Sequence, residues 1–457
     1  MPGPASPTTP AAPTRAIIDR VHDWTVGTLP PDVVTAVKHC LLDWIGVTIA
    51  GAREPVVRIL LSQAEADGGR PECSLLGRSG KVNAGQACLV NGAAGHSLDY
   101  DDVLESMLGH PSVVVAPVVF ALGERDRRSG ADVLVAFAAG VQAAASVGLL
   151  VEPQHHERGW HTTATLGTFG ATAAACHLLG LDRDAWNRAF GLAATQAGGL
   201  KSMFGTMGKP FHAGKAAAQG FLAASLAERG MTGALDVLEA PRGFLEVTTP
   251  GAATSPPLLE FAVRDVLFKA HAACYLTHSV IEGVLQLTRA HGLSGADVER
   301  IEVDVLPVHR TTCAISAPRT GLEAKFSLAY AAAIALAEGR AGEAQFTDEV
   351  VHRSWIRELA DRVVLRDGDP SRARQMATPV RLVTRDGRHL DAVADTGTPA
   401  RGSGVDRQWD RLVDKFTDLT TPVLGAAAAG AIVAAVEKFE ELPVLDDLIG
   451  STRGQEN

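Results

Sequence analysis

The chain has 457 residues and a formal net charge of -10, because 42 Lys and Arg face 52 Asp and Glu. The basic residues are scattered, whereas proteins that bind nucleic acid through phosphates normally show a basic stripe, so no nucleic-acid partner is expected. Aromatic residues make up 5% of the chain and 46 residues are glycine. Small side chains let helices approach closely, so this composition predicts a mainly α-helical protein.

The two ends and the most apolar stretches of the sequence raise the question of its cellular setting. Residues 1–15 and 448–457 are expected to be tails, the first of them disordered because it is rich in Pro, Ala and Thr. Residues 133–151 and 423–436 are apolar but dominated by Ala and Gly, so buried core helices are favoured over membrane spans. The six cysteines form no CxxC motif and no signal peptide is recognisable, which predicts a reduced, cytoplasmic protein without a membrane partner.

Helical patterns dominate residues 16–268, which are predicted to be the first part of a helical domain. The predicted helices of this part cover residues 31–49, 84–98, 162–179 and 215–228. Asn83 and Asp182 are expected to cap helix N-termini, and Gly180 to end a helix. Thr232 is expected to cap a further, short helix.

The pattern changes in residues 269–400, which are predicted to form a smaller α+β lid domain. Strands are predicted over residues 300–306, 380–384 and 389–394, the last two joined by an Asp-Gly turn, and helices over residues 323–338 and 347–362. Residues 401–447 regain small-residue helical patterns, with helices over residues 409–416 and 421–439. This last segment is expected to return to the first domain, so the whole chain is predicted to be a large all-helical domain with a smaller α+β lid.

An acidic segment is the first candidate for chemistry. Asp99, Asp101 and Asp102 lie close together and precede His110. A lone acidic cluster is more typical of a solvated helix end, but a nearby carboxylate can orient an imidazole and raise its pKa. Asp101, Asp102 and Glu105 also have the DDxxE spacing that holds Mg²⁺ on a diphosphate, an alternative weakened by the lack of a second metal motif.

Two further candidates precede predicted helices. His161 comes just before the helix over residues 162–179, where main-chain N–H groups could hold an anion while the imidazole moves a proton. A histidine that only caps or packs is an equally common outcome. Lys209 follows a Gly-rich turn without the spacing of a phosphate-binding loop, so it is either a fixed ammonium for a carboxylate or an ordinary surface lysine.

The segment at the predicted domain junction is dense in reactive side chains. Lys269, His271, Cys274, Tyr275 and His278 fall within ten residues, and clefts between domains are favoured ligand sites. A single cysteine such as Cys274 is more often a small buried hydrophobic residue than a nucleophile. A similar core interpretation competes for the segment over residues 325–330.

Together these segments resemble the MmgE/PrpD family and occur in that family's order over about residues 40–330. The matching segments are residues 43–46 (DWIG), 96–102 (HSLDYDD), 109–112 (GHPS), 159–165 (GWHTTAT), 209–214 (KPFHAG), 269–278 (KAHAACYLTH) and 325–327 (KFS) with Tyr330. Residues 397–399 (GTP) and 415–416 (KF) extend the match. The combination is highly specific, although no single segment is.

The resemblance implies a cleft between the two domains, a homodimer, and activities that need neither a metal nor an organic cofactor. The site residues that it implies are Asp99, His110, His161, Lys209, Lys269 and Tyr330. In our hypothesis Lys209 and Lys269 bind the carboxylates of a small polycarboxylate substrate, with Cys274 and His212 as further substrate contacts.

The same hypothesis assigns the proton transfers to histidines. His161 is the principal acid and base, and His110, oriented by Asp99, is the second proton carrier. Tyr330 from the lid is expected to donate a hydrogen bond or a proton.

The family includes 2-methylcitrate dehydratase, cis-aconitate decarboxylase and iminodisuccinate epimerase. The sequence departs from the decarboxylase branch at Val103, where that branch has a hydroxyl, and at Cys274, where it has a histidine. These departures disfavour cis-aconitate decarboxylation but do not select among the other activities. The favoured prediction is a dehydratase-type lyase, with an epimerase or a cis-aconitate-type decarboxylase as alternatives.

Overall fold

The structure, a computed structural model, describes residues 12–253, 255, 259–371 and 376–454, and it confirms a mainly α-helical fold with a smaller α/β part. The helices up to residue 260 are α1 (Pro13–Val21), α2 (Pro31–Gly51), α3 (Pro55–Asp67), α4 (Ala84–Ser97), α5 (Ser112–Arg125), α6 (Gly130–Val151), α7 (Gln154–Glu157), α8 (Thr162–Leu179), α9 (Arg183–Ala194), α10 (Gly208–Glu228) and α11 (Phe244–Thr248). A two-residue pair, β1 (Cys73–Ser74) and β2 (Lys81–Val82), is antiparallel.

The later part contains a four-stranded sheet with helices around it. Its helices are α12 (His278–His291), α13 (Pro307–Thr312), α14 (Gly321–Ala324), α15 (Leu328–Glu338), α16 (Asp348–Val351), α17 (Ser354–Ala360), α18 (Gly404–Leu424), α19 (Ala426–Glu437) and α20 (Asp446–Ser451). The strands are β3 (Val298–Val305), β4 (Val363–Asp367), β5 (Pro379–Thr384) and β6 (His389–Val393), in the order β4-β3-β5-β6. β3 is parallel to β4 and antiparallel to β5, which is antiparallel to β6.

Several predicted elements are confirmed at their ends. The Asn83 side chain accepts a hydrogen bond from the main-chain N–H of Gln86 and caps α4, and Asp182 caps α9 through Ala185. α8 ends at Gly180, whose φ is +65°. Local capping chemistry was sufficient to predict these boundaries because it depends on neighbouring residues alone.

Other predictions are wrong where tertiary contacts intervene. No helix follows Thr232 directly, and the next one is α11. The helix predicted over residues 323–338 is split because the Ser327 side chain caps α15 through the N–H of Tyr330. The helix predicted over residues 347–362 is likewise divided into α16 and α17, and β4 follows them, pairing with β3.

Both predicted tails include residues that the structure places in helices. Residues 1–11 and 455–457 lie outside the described residues. Residues 13–15 belong to α1, and residues 448–451 belong to α20. The predictions of tails over residues 13–15 and 448–451 are therefore wrong.

The apolar side chains form two main cores. The larger core joins the helices of the first part with α18 and α19, and Phe416 of α18 packs against Gly46 of α2, so close that a Cβ on Gly46 would lie 2.9 Å from the Phe416 ring. The second core joins α12, α15 and the sheet. The C-terminal helices therefore pack on the first part of the chain, as expected from the sequence.

Two helices, α2 and α6, are long and apolar enough to cross a membrane by length and composition alone. In the described part of the chain, 72% and 94% of their apolar stretches are buried inside the protein. For α6 this agrees with the core helix predicted over residues 133–151. The segment over residues 423–436 is different, since Gly425 separates α18 from α19 and α19 buries only Ala429, Ile432 and Val436.

Candidate active site

A cavity of about 410 Å³ lies among segments of both parts of the chain. Its lining comes from the loop after α4, α7 and the residue before it, the start of α8, the segment before α10 with the first turn of that helix, the segment after residue 268, α13, Phe326 and Met376. Six of the predicted site residues line it, namely Asp99, His110, His161, Lys209, Lys269 and Cys274. The spacing of these residues along the sequence does not show that they meet, because their meeting depends on how α4, α8 and α10 cross.

Asp99 is the counter-ion of two lysines. It lies just after α4 with φ +51°, a left-handed conformation that Asp tolerates better than most residues. Its Oδ1 lies 2.5 Å from Lys209 Nζ and 3.0 Å from Lys269 Nζ, and Lys269 also donates to the main-chain oxygen of Asp99 at 2.6 Å. Burial opposes the charge of Asp99, but the two ammonium groups prevail and lower its pKa. Two positive charges and one negative charge therefore meet at one wall of the cavity.

His110 is oriented by Asp101, which corrects the predicted pairing with Asp99. Its Nδ1 lies 3.0 Å from Asp101 Oδ2 and 2.8 Å from the main-chain oxygen of Asp102. Both partners are acceptors, so Nδ1 carries the proton and Nε2 is the basic nitrogen of the neutral ring. Asp101 also binds His96 Nδ1 at 2.9 Å, and although burial opposes its charge, the two imidazoles lower its pKa.

Asp102 has a different state from its neighbours. Burial, reinforced by the charge of Asp43, raises the pKa of Asp102 to about 8, and its carboxyl group forms a hydrogen bond with Ser112. Asp101 is occupied by two histidines, whereas Glu105 lines the cavity. The DDxxE residues therefore do not present a common set of ligands, which argues against the diphosphate alternative.

His161 is the N-cap residue of α8 and lines the cavity. Its main-chain N–H donates to the oxygen of Gly199 at 2.9 Å, and its Nδ1 lies 3.1 Å from His212 Nδ1. Burial lowers the pKa of His161 far below its usual value, and the nearby His96 and Lys209 lower it further. His161 is therefore a neutral imidazole, and it lies beside a helix N-terminus that favours negative charge.

Two predicted residues lie outside the cavity lining. His212 contacts His161 behind the cavity wall, so its placement favours a role in positioning His161 rather than the predicted substrate contact. The Tyr330 hydroxyl donates to the main-chain oxygen of Gln345 at 2.7 Å, and its ring packs 5.6 Å from that of Phe346. The hydroxyl is committed within the second core, so the predicted donor role of Tyr330 does not fit the structure.

Sequence reasoning missed three charged residues that support the site. Asp101 belongs to the acidic cluster that the sequence analysis names, but the sequence assigns the orientation of His110 to Asp99, and it gives no signal for Lys201. Lys415 donates to Asp43 Oδ1 and to the main-chain oxygen of Tyr100, both at 2.6 Å. Residues 415–416 were noted as part of the resemblance, which was the only sequence signal for Lys415.

One group of side chains has the spacing of a metal site. The nitrogen and oxygen atoms of His96, Asp99 and His110 all lie within 4.8 Å of one another. Asp99, however, already faces the ammonium groups of Lys209 and Lys269, whose charges oppose a divalent cation at that carboxylate. The local charge thus fits an anionic ligand better than a metal ion.

Comparison with known proteins gives a consistent result over nearly the whole chain. The model of the MmgE/PrpD N-terminal domain matches residues 15–256, and that of the MmgE/PrpD C-terminal domain matches residues 271–441. Cis-aconitate decarboxylase from Mus musculus is 27% identical over 94% of this chain and 91% of its own length. The human enzyme of that name is 29% identical over 77% of this chain and 76% of its own length, and that of Aspergillus terreus is 27% identical over 92% of both.

Proposed function

Because this chain belongs to the MmgE/PrpD family, we propose that it is a lyase that acts on a small di- or tricarboxylate by removing a proton next to a carboxylate. The favoured reaction is the elimination of water. The observation that carries the proposal is one cavity in which Lys209 and Lys269 adjoin two imidazoles, those of His110 and His161.

The ammonium groups of Lys209 and Lys269 supply the positive charge that removal of a proton next to a carboxylate requires. A C–H bond beside a carboxylate is very weakly acidic, because its removal adds negative charge to a group that is already negative. Each lysine shares Asp99 and has further N–H donors, so a substrate carboxylate can bind to Lys209 and Lys269 together. Fixed positive charge in a partly dry cavity then stabilises the charge that develops in the transition state, by several kcal/mol.

The histidines divide the proton transfers. The neutral His161 accepts the C–H proton, and the electron pair of that bond forms the new double bond as the C–O bond breaks. His110, once it has taken up a second proton at Nε2, gives that proton to the departing hydroxyl, and the carboxylate of Asp101 favours this imidazolium form. Water leaves, and a proton transferred from His161 to solvent and one gained by His110 restore the site.

Decarboxylation of a cis-aconitate-type substrate is the second candidate. The relatives from mouse and Aspergillus terreus bear that name and match more than 90% of this chain. Such a reaction replaces CO₂ by a proton and needs one proton donor, which His110 also supplies. The sequence departs from the decarboxylase branch at Cys274, which lines the cavity, and this departure disfavours decarboxylation.

Incubation with a panel of polycarboxylates in D₂O, followed by proton NMR, distinguishes these reactions. Elimination gives a new vinyl signal or, in reverse, incorporates deuterium beside the hydroxyl-bearing carbon. Decarboxylation gives a deuterated product and CO₂, and epimerisation exchanges the α-proton without loss of either fragment. The absence of any conversion or exchange across hydroxylated, unsaturated and imino polycarboxylates would contradict the proposal.

The expected homodimer stays a prediction, which light scattering of the purified protein tests.

Replacement of the principal base should abolish turnover. We expect His161→Ala to lower kcat by about 100-fold or more, since general base catalysis contributes this much, while the circular dichroism spectrum is retained. His177→Gln is the matched control, because His177 lies near the far end of α8 and contacts the Trp24 carbonyl. A loss below about tenfold in His161→Ala would remove His161 from proton transfer.

A further inference from the structure

A third ammonium group lines the cavity, and its surroundings differ from those of the other two. Lys209 and Lys269 are both paired with Asp99. The Nζ of Lys201 lies 3.3 Å from His156 Nδ1 and 3.3 Å from the His156 main-chain oxygen. Among the described residues, Glu152 and Glu157 act on this ammonium through their charge and not through a hydrogen bond. Lys201 therefore has a charge that is not neutralised by direct contact.

The main chain fixes Lys201 relative to the proposed base. Residues 159–161 pair with residues 199–201, through a hydrogen bond from Lys201 N–H to the Gly159 oxygen at 2.8 Å and one from His161 N–H to the Gly199 oxygen. Trp160 lies opposite Leu200 in this antiparallel bridge. Side chains alternate along such a pair, so His161 and Lys201 lie on the same face, displaced by two residues or roughly 7 Å along the chain direction.

His156 adds a second donor beside Lys201. Since the ammonium donates to Nδ1, the neutral imidazole carries its proton on Nε2. Burial lowers the pKa of His156 to about 4, and Lys201 contributes, so the ring is neutral at pH 7. Both residues line the cavity, so an N–H group and an ammonium group are available there as donors for a carboxylate.

The acidic groups nearest to Lys201 are Glu152 and Glu157, of which Glu157 also lines the cavity. Glu152 and Glu157 raise the pKa of Lys201, but burial has the larger effect and lowers it. Burial also raises the pKa of Glu152 to about 7, so this group carries only part of a negative charge at neutral pH. A partly desolvated ammonium gains more from a carboxylate than an exposed one does.

We propose that Lys201 and His156 form a third anion subsite, which binds a carboxylate of the substrate that does not contact Lys209 or Lys269. The enzyme is then selective for tricarboxylates over dicarboxylates, and Lys201 is the residue that determines this selectivity. The inference rests on the proposed function, because it assumes that a polycarboxylate occupies the same cavity.

Binding of unreactive analogues to the full-length protein tests the subsite without turnover. Tricarballylate has three carboxylates and no leaving group, and methylsuccinate is the same molecule without one terminal carboxylate. We expect wild-type protein to bind tricarballylate about tenfold more tightly in calorimetry, as one charge-assisted contact predicts. Lys201→Met should lose this preference by weakening tricarballylate binding about tenfold while methylsuccinate binding stays unchanged.

Two further variants make the outcome decisive. Lys215→Met is the matched control, since Lys215 lies on α10, donates to the Gly198 oxygen and does not line the cavity, so its preference should equal that of wild type. Lys201→Arg should retain a preference for tricarballylate. Equal weakening of both ligands in Lys201→Met, or no change in either, would overturn the subsite. If wild-type protein binds neither analogue, the polycarboxylate substrate of the proposed function fails as well.

Discussion

The three clustered carboxyl groups have three different partners. Asp99 binds two lysines, and Asp101 binds two histidines. Asp102 has a raised pKa and forms a hydrogen bond with Ser112. The negative charge of Asp99 thus limits repulsion between ammonium groups, and that of Asp101 supports an imidazolium. Asp99 and Asp101 therefore affect different steps, substrate binding and proton transfer, and substitution of each aspartate can separate the two effects.

Loss of the Asp101 charge should change the pH dependence of turnover. Asp101 raises the pKa of His110 against the larger, opposite effect of burial. Without it the pKa of His110 falls further, so the protonated donor is present only at lower pH. We expect Asp101→Asn to lower kcat by about 100-fold and to move the alkaline limb of the kcat/KM profile to lower pH.

Asp99→Asn serves as the comparison for this variant. It leaves Lys209 and Lys269 as neighbouring buried cations, so it should raise KM and lower the free energy of unfolding by about 3–5 kcal/mol, as for other broken buried pairs. An alkaline limb that stays in place in Asp101→Asn would show that His110 is not the proton donor.

At the scale of helices, Gly92 and Gly214 allow α4 and α10 to cross closely, and this crossing places one end of each helix at the cavity. A Cβ on Gly92 would lie 2.8 Å from the Gly214 Cα, and one on Gly214 would lie 2.0 Å from the Leu89 oxygen. The two helices cross in opposite directions, so the end of α4, with Asp99 beyond it, adjoins the start of α10, with Lys209. Separating the helices would separate this ion pair.

Gly214→Ala should therefore reduce both stability and activity. Overpacking at this contact with main-chain atoms is expected to cost about 1–3 kcal/mol in the free energy of unfolding, measured by urea denaturation. Gly430→Ala, in the exposed interior of α19 where no atom lies within 4 Å of the new Cβ, should be stabilising by about 0.5–1 kcal/mol. Similar effects at both positions would mean that helix propensity, rather than the crossing, determines the response.

The sequence predicts the ends of some helices but not the position of every helix and strand. The ends of α4 and α8 follow from Asn83 and Gly180, whose effects are local. The break before α15 and the strand β4 depend on the partner that each segment meets in the fold. A helical period over residues 323–338 does not reveal that residues 325–327 leave the helix.

For the molecule as a whole, the sequence predicted the residues of the site better than their pairing. The resemblance placed Asp99, His161 and Lys269 at one cleft, and all three line the cavity. The partner of each charge is a matter of ångströms between segments that are far apart in sequence. The roles of Asp101 and Lys415 could therefore not be derived before the segments were placed in space.

Lys415 links the C-terminal part of the chain to the site. It lies on α18, and its ammonium binds Asp43 Oδ1 of α2 at 2.6 Å and the main-chain oxygen of Lys269 at 3.1 Å. Burial raises the pKa of Asp43, and Lys415 is the main opposing influence. The returning helix thus neutralises a buried carboxylate and holds the main chain from which Lys269 extends.

We expect Lys415→Met to lower the free energy of unfolding by about 3–5 kcal/mol, because it leaves Asp43 buried without its cation. The double variant with Asp43→Asn should recover part of this loss, and a double-mutant cycle measures the coupling. Lys438→Met, at an exposed position after α19, should change stability by no more than about 0.5 kcal/mol. If the double variant is as unstable as the sum of the two single ones, the contacts of Lys415 with main-chain oxygens stabilise the fold, and the ion pair with Asp43 does not.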